Sequence, residues 1–263
     1  MFRQNYCIAG IDIVAEKEIV DEEWKKYTTI SLQQYHLTIC KAKTAEIFYG
    51  IEKLNMDDRH STFFERNEFM FVEDNWKKIS FYPLQNRECI TAFLIQAFYA
   101  HAAQHHMIQF HSSLIDYQGH GLMFLGPSGI GKTTQAELWN QYRDALIING
   151  DIVFVQETEE AFLGWGTPWH GSSPYCENTN VLVEALIILK QAQENSIRKL
   201  EGFEKVTAVS NSVFYPRWLE NGMALCLETL DHLLSKIPVY ELSCRPDEEA
   251  VELTEKTIFG REN

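Results

Sequence analysis

The sequence lacks a long uninterrupted apolar run. No stretch approaches the roughly eighteen consecutive apolar residues that a membrane-spanning helix requires, so we expect no such helix. The N-terminal run Tyr6–Val14 is short, contains Asp12, and has neither a cationic lead nor a small-residue cleavage site. We therefore interpret this run as a β-strand and not as a signal peptide.

Basic residues are also scarce. The chain has 23 lysines and arginines against 37 acidic residues, which gives a formal net charge of −14. A field of this sign repels nucleic acid and anionic membrane surfaces, so we expect neither as a partner. Any phosphate site must then be built locally, from backbone N–H groups and a few placed cations.

The six cysteines include no CxxC pair. We do not expect a disulfide scaffold in a chain of this length in which 45% of the residues are hydrophobic. The sequence instead predicts reduced, mostly buried thiols in a cytoplasmic protein.

Two patterns of apolar spacing divide the chain. Up to residue 88, short β-prone runs alternate with charged or polar turns, which predicts a β-rich region. These runs are Ser31–Cys40, Phe69–Val72 and Lys78–Tyr82, with a helical turn over Asp21–Tyr27 and a polar turn at Asn55–Asp58.

From Glu88 the apolar residues recur at three- and four-residue spacing, which predicts a helix to about His106. Strands and helices then alternate, and this predicts a mixed α/β fold. The predicted elements are a hairpin of Ile108–Asp116 and Leu122–Leu125 around a Gly119–Gly121 turn, a helix after Lys132, strands Ala145–Asn149 and Val153–Gln156, helices near Val181–Gln193 and over Arg217–Lys236, a strand Val239–Ser243, and a last helix opened by Pro246 and Asp247. We expect a β-rich region over residues 1–88 and an α/β domain over residues 89–263, with one continuous domain as the alternative.

The strongest motif fits the phosphate-loop pattern GxxxxGK[ST] and lies between an apolar strand and a helix-forming segment. Its glycines allow positive φ and close backbone approach to phosphates, while N–H groups at the helix start supply donors and partial positive charge. We expect Lys132 to reach the β- and γ-phosphates and the Thr133 hydroxyl to coordinate Mg²⁺. No motif distinguishes ATP from GTP, and we take ATP as the nucleotide. The predicted nucleotide contacts are Gly126, Pro127, Ser128, Gly129, Ile130, Gly131, Lys132, Thr133 and Thr134.

Such loops usually work with an acidic residue at the end of a neighbouring strand, which holds the metal directly or through water. The apolar strand Ala145–Asn149 ends at Gly150 and Asp151. We therefore predict Asp151 as a second metal ligand, with an ordinary turn aspartate as the alternative.

Three segments together resemble the catalytic core of HPr serine kinase: Phe110–Asp116, Gly119–Thr133 and Ile147–Asp151. The resemblance is tight over residues 105–155, looser to about residue 250, and absent from the first 88. It implies the phosphate-loop fold that this family shares with ATP-dependent phosphoenolpyruvate carboxykinase. The chain is most similar to HPr-kinase-like proteins encoded beside peptide-modifying systems, some of which phosphorylate a serine of a ribosomally made peptide.

The resemblance also implies roles for two residues. His111 matches a histidine that lies near the phosphates and the attacking group in the family. Asp151 matches the second of two consecutive aspartates, and Gly150 stands in place of the first, which is the general base of HPr kinase. The base here is therefore Asp151, or His111, or no dedicated group, since a loose transition state depends mainly on positioning and charge neutralisation.

Two further positions depart from the family. Thr134 stands where HPr kinase typically has glutamate, and Gly166–Ser173 occupies the place of the signature linked to its phosphorylase activity. We therefore expect neither removal of phosphate from phosphoserine nor HPr as the partner.

The aromatic segment Trp165–Gly171 is a candidate cover for the acceptor site. Trp169 and His170 are the substrate contacts that it would supply, and packing of the tryptophans is the alternative. A further hypothesis is that one of three scattered arginines clamps the γ-phosphate. These are Arg198, Arg217 and Arg245.

The sequence thus predicts an ATP- and Mg²⁺-dependent kinase that transfers the γ-phosphoryl group to a hydroxyl, with serine of a peptide or protein as the expected acceptor. Lys132, Asp151 and His111 are its predicted catalytic residues. The first alternative is a nucleotide-binding regulatory or assembly protein with little or no phosphotransfer, and the second is a small-molecule kinase or carboxykinase. A homo-oligomer is a possible assembly of this chain.

Overall fold

A computed structural model describes residues 2–32, 36–48, 51–54, 61–73 and 75–260. The predicted turn Asn55–Asp58 and the middle of the run Ser31–Cys40 lie outside the described residues. The chain is a mixed α/β protein with two mixed sheets, which confirms the predicted fold class at this level. It divides into two compact units, Met1–Ala102 and Ala103–Asn263.

The first unit is β-rich and ends in one long helix. A six-stranded sheet has the order β1-β2-β3-β8-β7-β6, and β4 and β5 form a separate hairpin. The strands are β1 (Arg3–Ile8), β2 (Ile11–Glu16), β3 (Leu37–Lys41), β4 (Thr44–Phe48), β5 (Ile51–Leu54), β6 (Ser61–Glu65), β7 (Glu68–Glu73) and β8 (Lys78–Tyr82), and the helices are a 3₁₀ helix at Glu22–Tyr27 and α1 (Arg87–Ala102).

The predicted single strand Tyr6–Val14 was wrong, because this run contains a hairpin turn. Ala9 and Gly10 take positive φ angles of 48° and 76°, which reverse the chain and pair β1 with β2 in antiparallel register. The helical turn before Tyr27, strands β7 and β8, and the helix beginning near Glu88 are confirmed. The predicted boundary near residue 88 falls at the start of α1, whereas the two units divide at its end.

The second unit contains the remaining helices and strands. They are a 3₁₀ helix at Ala103–His105, β9 (Met107–Tyr117), β10 (His120–Leu125), α2 (Lys132–Arg143), β11 (Leu146–Asn149), β12 (Ile152–Glu157), β13 (Phe162–Trp165), β14 (Asn180–Gln191), β15 (Ser196–Leu200), α3 (Gly202–Ser210), β16 (Val213–Phe214), α4 (Gly222–Lys236), β17 (Val239–Cys244) and α5 (Glu248–Phe259).

This unit is built on a nine-stranded sheet in which β9 pairs with four other strands. The first half of β9 pairs with β12 and β16, and its second half pairs with β10 and β11. Because β10 also pairs with β14, the strands β10, β9, β12, β13 and β14 close into a ring. Strands β10, β14 and β17 are parallel neighbours, so their carboxyl ends meet at one edge.

The predicted helix near Val181–Gln193 was wrong, because this segment is strand β14. It lies between β10 and β17, and Ala185–Leu189 is buried throughout. A strand covered on both faces is a continuous apolar run, and its residues also satisfy helical spacing. The helix predicted from Arg217 begins later, at Gly222. Strands β13, β15 and β16 and helix α3 were not predicted.

The remaining predictions for this unit are confirmed: the β9–β10 hairpin, α2, β11, β12, β17 and α5. The side chain of Asp247 caps α5 by accepting a hydrogen bond from the N–H of Ala250. All six cysteines are free thiols, and only Cys7 is not buried. None of the helices among the described residues combines the length and apolarity needed to cross a membrane.

In the first unit a buried carboxylate binds the backbone immediately before α1. Glu68 is 1% exposed, and its side chain accepts hydrogen bonds from the N–H groups of Leu84, Gln85 and Asn86. We expect Glu68→Gln to lower the free energy of unfolding by about 1–3 kcal/mol, because hydrogen bonds to an ionised acceptor are lost at a buried position. Urea denaturation measures this.

The matched control is Glu65→Gln on the neighbouring strand, where an exposed pair with Arg66 contributes little. Equal stability of the two variants would contradict the role assigned to Glu68.

Candidate functional site

The loop Gly126–Thr133, called here the glycine-rich loop, joins β10 to α2. Gly126, Gly129 and Gly131 have φ angles of 143°, 78° and 114°, a region that glycine adopts at little cost. The first backbone bond of α2 runs from the N–H of Gln135 to the carbonyl of Gly131 at 2.9 Å. The N–H groups that precede it, from Lys132 onward, have no acceptor within the helix and are available to a ligand.

Lys132 is folded back onto the glycine-rich loop. It is 6% exposed, and its Nζ donates to the carbonyl oxygens of Gly126 at 3.1 Å and Pro127 at 3.3 Å. An ammonium has three N–H donors, so one is left for a ligand. Burial lowers the pKa of Lys132, and the negative charge of Asp151 acts in the opposite direction. The buried cation is thus held beside a carboxylate without a direct bond to it.

His111 and Asp151 form a close pair on adjacent strands. In the β9–β12 register His111 is opposite Ile152, and this places the imidazole beside the preceding residue. Nε2 of His111 lies 3.0 Å from Oδ1 of Asp151. The Thr133 hydroxyl is 3.5 Å from the carbonyl of Gly150, so the start of α2 reaches the same strand end.

The side chain of Asn149 fixes this strand end. It is fully buried, and its Oδ1 accepts from the N–H groups of Asp151 and Ile152 at 2.9 and 3.0 Å. Its Nδ2 donates to the carbonyls of Thr167 and Trp169 at 2.9 and 3.2 Å. Sequence reasoning missed this residue; the signal was a polar residue that ends an otherwise apolar strand.

Two glycines allow the segment after Trp169 to pack against Asp151. A Cβ on Gly171, which has φ of 58°, would lie 2.4 Å from Oδ2 of Asp151. A Cβ on Gly150 would lie 1.9 Å from Oγ of Ser173. Gly150 therefore occupies a position with no room for a side chain beside Ser173.

These groups surround a cavity of about 270 Å³, called here the first cavity. Apart from three glycines its lining residues have polar or charged side chains, which include one lysine and one carboxylate. The lining residues are His111, Ser128, Gly129, Gly131, Lys132, Thr133, Thr134, Gly150, Asp151, His170, Ser172 and Ser173.

The structure brings most of the predicted site residues together here. Gly126, Pro127 and Ile130 do not line the first cavity, although the first two hold Lys132 through their carbonyls. Of the two predicted substrate contacts, His170 lines it, whereas Trp169 is 4% exposed and does not. Ser172 and Ser173 are lining residues that sequence reasoning did not single out.

The three arginines considered as phosphate clamps lie elsewhere. Arg198 pairs with Glu204 and Glu241, and Arg245 pairs with Asp247 and Glu249. Within the described part of the chain no arginine lines the first cavity. Lys132 is therefore the one lysine or arginine among the described residues that line this cavity.

No protein-family model matches the chain, and no curated protein matches it. Among solved structures, the chain is similar to the HPr(Ser) kinase/phosphatase from Coxiella burnetii, with a TM-score of 0.34 and 10% sequence identity. The overlap covers 57% of this chain and 95% of that chain. This is a weak structural similarity to an HPr kinase-like fold, and we infer no substrate or activity from it.

Contact between Gly150 and Ser173 can be tested by a double-mutant cycle. We expect Gly150→Ala to destabilise the protein by about 1–3 kcal/mol, because the added methyl overlaps the Ser173 side chain. In Gly150→Ala/Ser173→Gly the nearest remaining Ser173 atom would be Cα, at 3.9 Å, so most of the loss should be recovered. Ser173→Gly alone is the control, and additive effects in thermal unfolding would contradict this packing.

Burial of Lys132 predicts a pH-dependent stability difference. Below the lowered pKa both folded and unfolded chains carry the charge, and the folded state bears the cost of burying it. Between that pKa and the ordinary value of 10.5 the folded state loses the proton first, so the cost shrinks as the pH rises. We expect Lys132→Met to be more stable than wild type at pH 7 and to lose this advantage toward pH 10.5.

Denaturant unfolding at a series of pH values measures this difference. Lys199→Met, at an exposed position, is the control and should show no such trend. If the stability advantage of Lys132→Met over wild type stays constant or grows with pH, the buried ammonium with a lowered pKa is contradicted.

Proposed function

We propose that the first cavity binds the phosphates of ATP with Mg²⁺ and that the protein transfers the γ-phosphoryl group to a hydroxyl of a peptide or protein, with serine as the expected acceptor. One observation carries this proposal. A glycine-rich loop that opens a helix, a buried lysine, a hydroxyl and a carboxylate paired with a histidine all line one cavity. The geometry thereby supports interpreting the loop as a phosphate loop.

The groups present fit a triphosphate. The free N–H groups at the start of α2 and the partial positive charge of the helix end favour an anion. Lys132 has one unused donor, and its burial limits the screening of its charge by solvent. The Thr133 hydroxyl and the Asp151 carboxylate are oxygen ligands of the kind that Mg²⁺ prefers, and the metal would neutralise charge on the phosphates.

The transfer forms a bond from the acceptor oxygen to the γ-phosphorus while the bond from that phosphorus to the β–γ bridging oxygen breaks. The acceptor hydroxyl must give up its proton in the same step. Of the two candidate bases, Asp151 and His111, the geometry supports His111. Its Nε2 faces Asp151, and its Nδ1 has no partner among the described residues, so Nδ1 is available for this proton. The Asp151 carboxylate would stabilise the resulting imidazolium, as in other base–orienter pairs.

A second candidate function is a nucleotide-binding regulator with little or no phosphotransfer. The specific observation in its favour is Gly150, where Ser173 leaves no room for the aspartate that is the base in HPr kinase. A carboxykinase is less favoured, because a small acid substrate would call for arginines in the first cavity.

The partners follow from the same proposal. They are a nucleotide and a peptide or protein acceptor other than HPr, with no nucleic acid and no membrane surface. The cytoplasm is the proposed place of the reaction, as the sequence predicts from cysteines without a CxxC pair.

Mass spectrometry of the peptide or protein encoded beside this gene tests the proposal, after incubation with the protein, ATP and Mg²⁺. We expect the acceptor to gain one phosphate. Lys132→Ala and Asp151→Asn should each lower the rate by about 10²–10³-fold, because Lys132 would offset charge on the transferred group and Asp151 would hold the Mg²⁺ that does the same. His111→Gln should lower the rate while ATP binding is retained.

Lys199→Ala and Asp231→Asn are matched controls at exposed positions and should leave the rate unchanged. Binding of ATP without transfer to any acceptor would favour the regulator. Absence of ATP binding would contradict both candidate functions.

A further inference from the structure

A second cavity, of about 350 Å³, adjoins the glycine-rich loop. Its walls come from that loop, the first turn of α2 and the carboxyl ends of β14 and β17. Gly129, Gly131 and Thr134 line both cavities, so the loop is a wall that the two share. A ligand bound at the first cavity can therefore extend along the loop into the second.

The position of the second cavity follows from the sheet. Strands β10, β14 and β17 are parallel, and their carboxyl ends meet at the edge where the glycine-rich loop begins. Crevices outside the carboxyl ends of parallel strands are where open α/β sheets bind their ligands. The phosphates and the remainder of one nucleotide can thus lie at the same edge.

The two cavities differ in chemistry. The first is lined by hydroxyls, a carboxylate, a lysine and histidines, whereas Ile130, Leu189, Ala192 and Pro246 contribute apolar surface to the second. Lys190 and Arg245 also line the second cavity, and both are ion-paired with carboxylates. A volume of about 350 Å³ falls within the usual range of small-molecule pockets, roughly 300–1,000 Å³. The apolar part of these walls suits a flat ring system.

One buried polar atom of a residue that lines the second cavity has no partner among the described residues. Gln135 is 3% exposed, and its Nε2 donates to Sγ of Cys244 at 3.3 Å. Burial raises the pKa of Cys244 to about 11, so this sulfur belongs to a neutral thiol. Oε1 of Gln135 has no hydrogen-bond partner among the described residues. A buried acceptor without a donor is costly, and native proteins rarely leave one unless a ligand or water completes it.

We propose that the second cavity binds the adenine base of ATP and that the 6-amino group of adenine donates to Oε1 of Gln135. This inference rests on the proposed function, because the first cavity must hold the triphosphate. Adenine has an amino donor at the position where hypoxanthine and guanine have a carbonyl. Gln135 would therefore select ATP over ITP and GTP, which share that carbonyl, and the sequence alone leaves the choice between ATP and GTP open.

Isothermal titration calorimetry with three probes and Mg²⁺ tests the proposal. The probes are ATP, ITP and inorganic tripolyphosphate. We expect wild type to bind ATP about ten-fold more tightly than ITP, because ITP leaves Oε1 facing another acceptor. Tripolyphosphate should bind more weakly than either nucleotide, since it lacks the part that fills the second cavity.

Two variants test whether the discrimination between nucleotides arises in the second cavity. Gln135→Met should weaken ATP binding about ten-fold, leave ITP and tripolyphosphate within about two-fold, and so remove the discrimination. Ala192→Trp fills the second cavity from another wall and should weaken both nucleotides without affecting tripolyphosphate. Gln141→Met, an exposed glutamine on the same helix, is the matched control.

The outcomes separate this inference from the proposed function. If ATP and tripolyphosphate both fail to bind to wild type, the proposed function fails and the base site with it. If tripolyphosphate binds as tightly as ATP, or ATP and ITP bind equally, the triphosphate site stands and the base site is overturned. Loss of tripolyphosphate binding in both variants would also overturn it, because the effect would then not be specific to the base.

Discussion

The candidate site depends on one buried amide. Asn149 accepts two hydrogen bonds from the backbone after β11 and donates two to the carbonyls of Thr167 and Trp169. All of its hydrogen-bonding capacity joins the strand end to a distant segment, so neither side can shift without leaving a buried polar group unpaired. Asp151 is positioned by this interaction, because its N–H is one of the groups that Asn149 holds.

The glycine-rich loop supplies the opposite wall, and two different environments result. On one face Lys132, Thr133, Asp151 and His111 surround a polar cavity suited to phosphates and a divalent cation. Beside it the ends of β14 and β17 make a more apolar cavity with the unsatisfied acceptor of Gln135. A nucleotide has the same two parts, a charged triphosphate and a flat base, and the pairing of the cavities corresponds to both.

Local patterns predicted the elements that carry the loop, since β10, α2 and the strand that precedes Asp151 each have a clear periodicity or motif. Patterns failed where burial removed the contrast between faces, as in β14, whose apolar run also fits helical spacing. Only part of the candidate site could be predicted from the sequence. Lys132 and Thr133 belong to a motif, but the bond partners of Asn149 and the contact of Gly150 with Ser173 join residues far apart in sequence. Such contacts exist only after the sheet has formed.

The most direct test of the central claim is a crystal structure of the protein with AMP-PNP and Mg²⁺. We expect the γ-phosphate within hydrogen-bond distance of Lys132 Nζ, and Mg²⁺ beside the Thr133 hydroxyl and the Asp151 carboxylate. Triphosphate density away from the glycine-rich loop, or a first cavity without phosphate at saturating nucleotide, would contradict it.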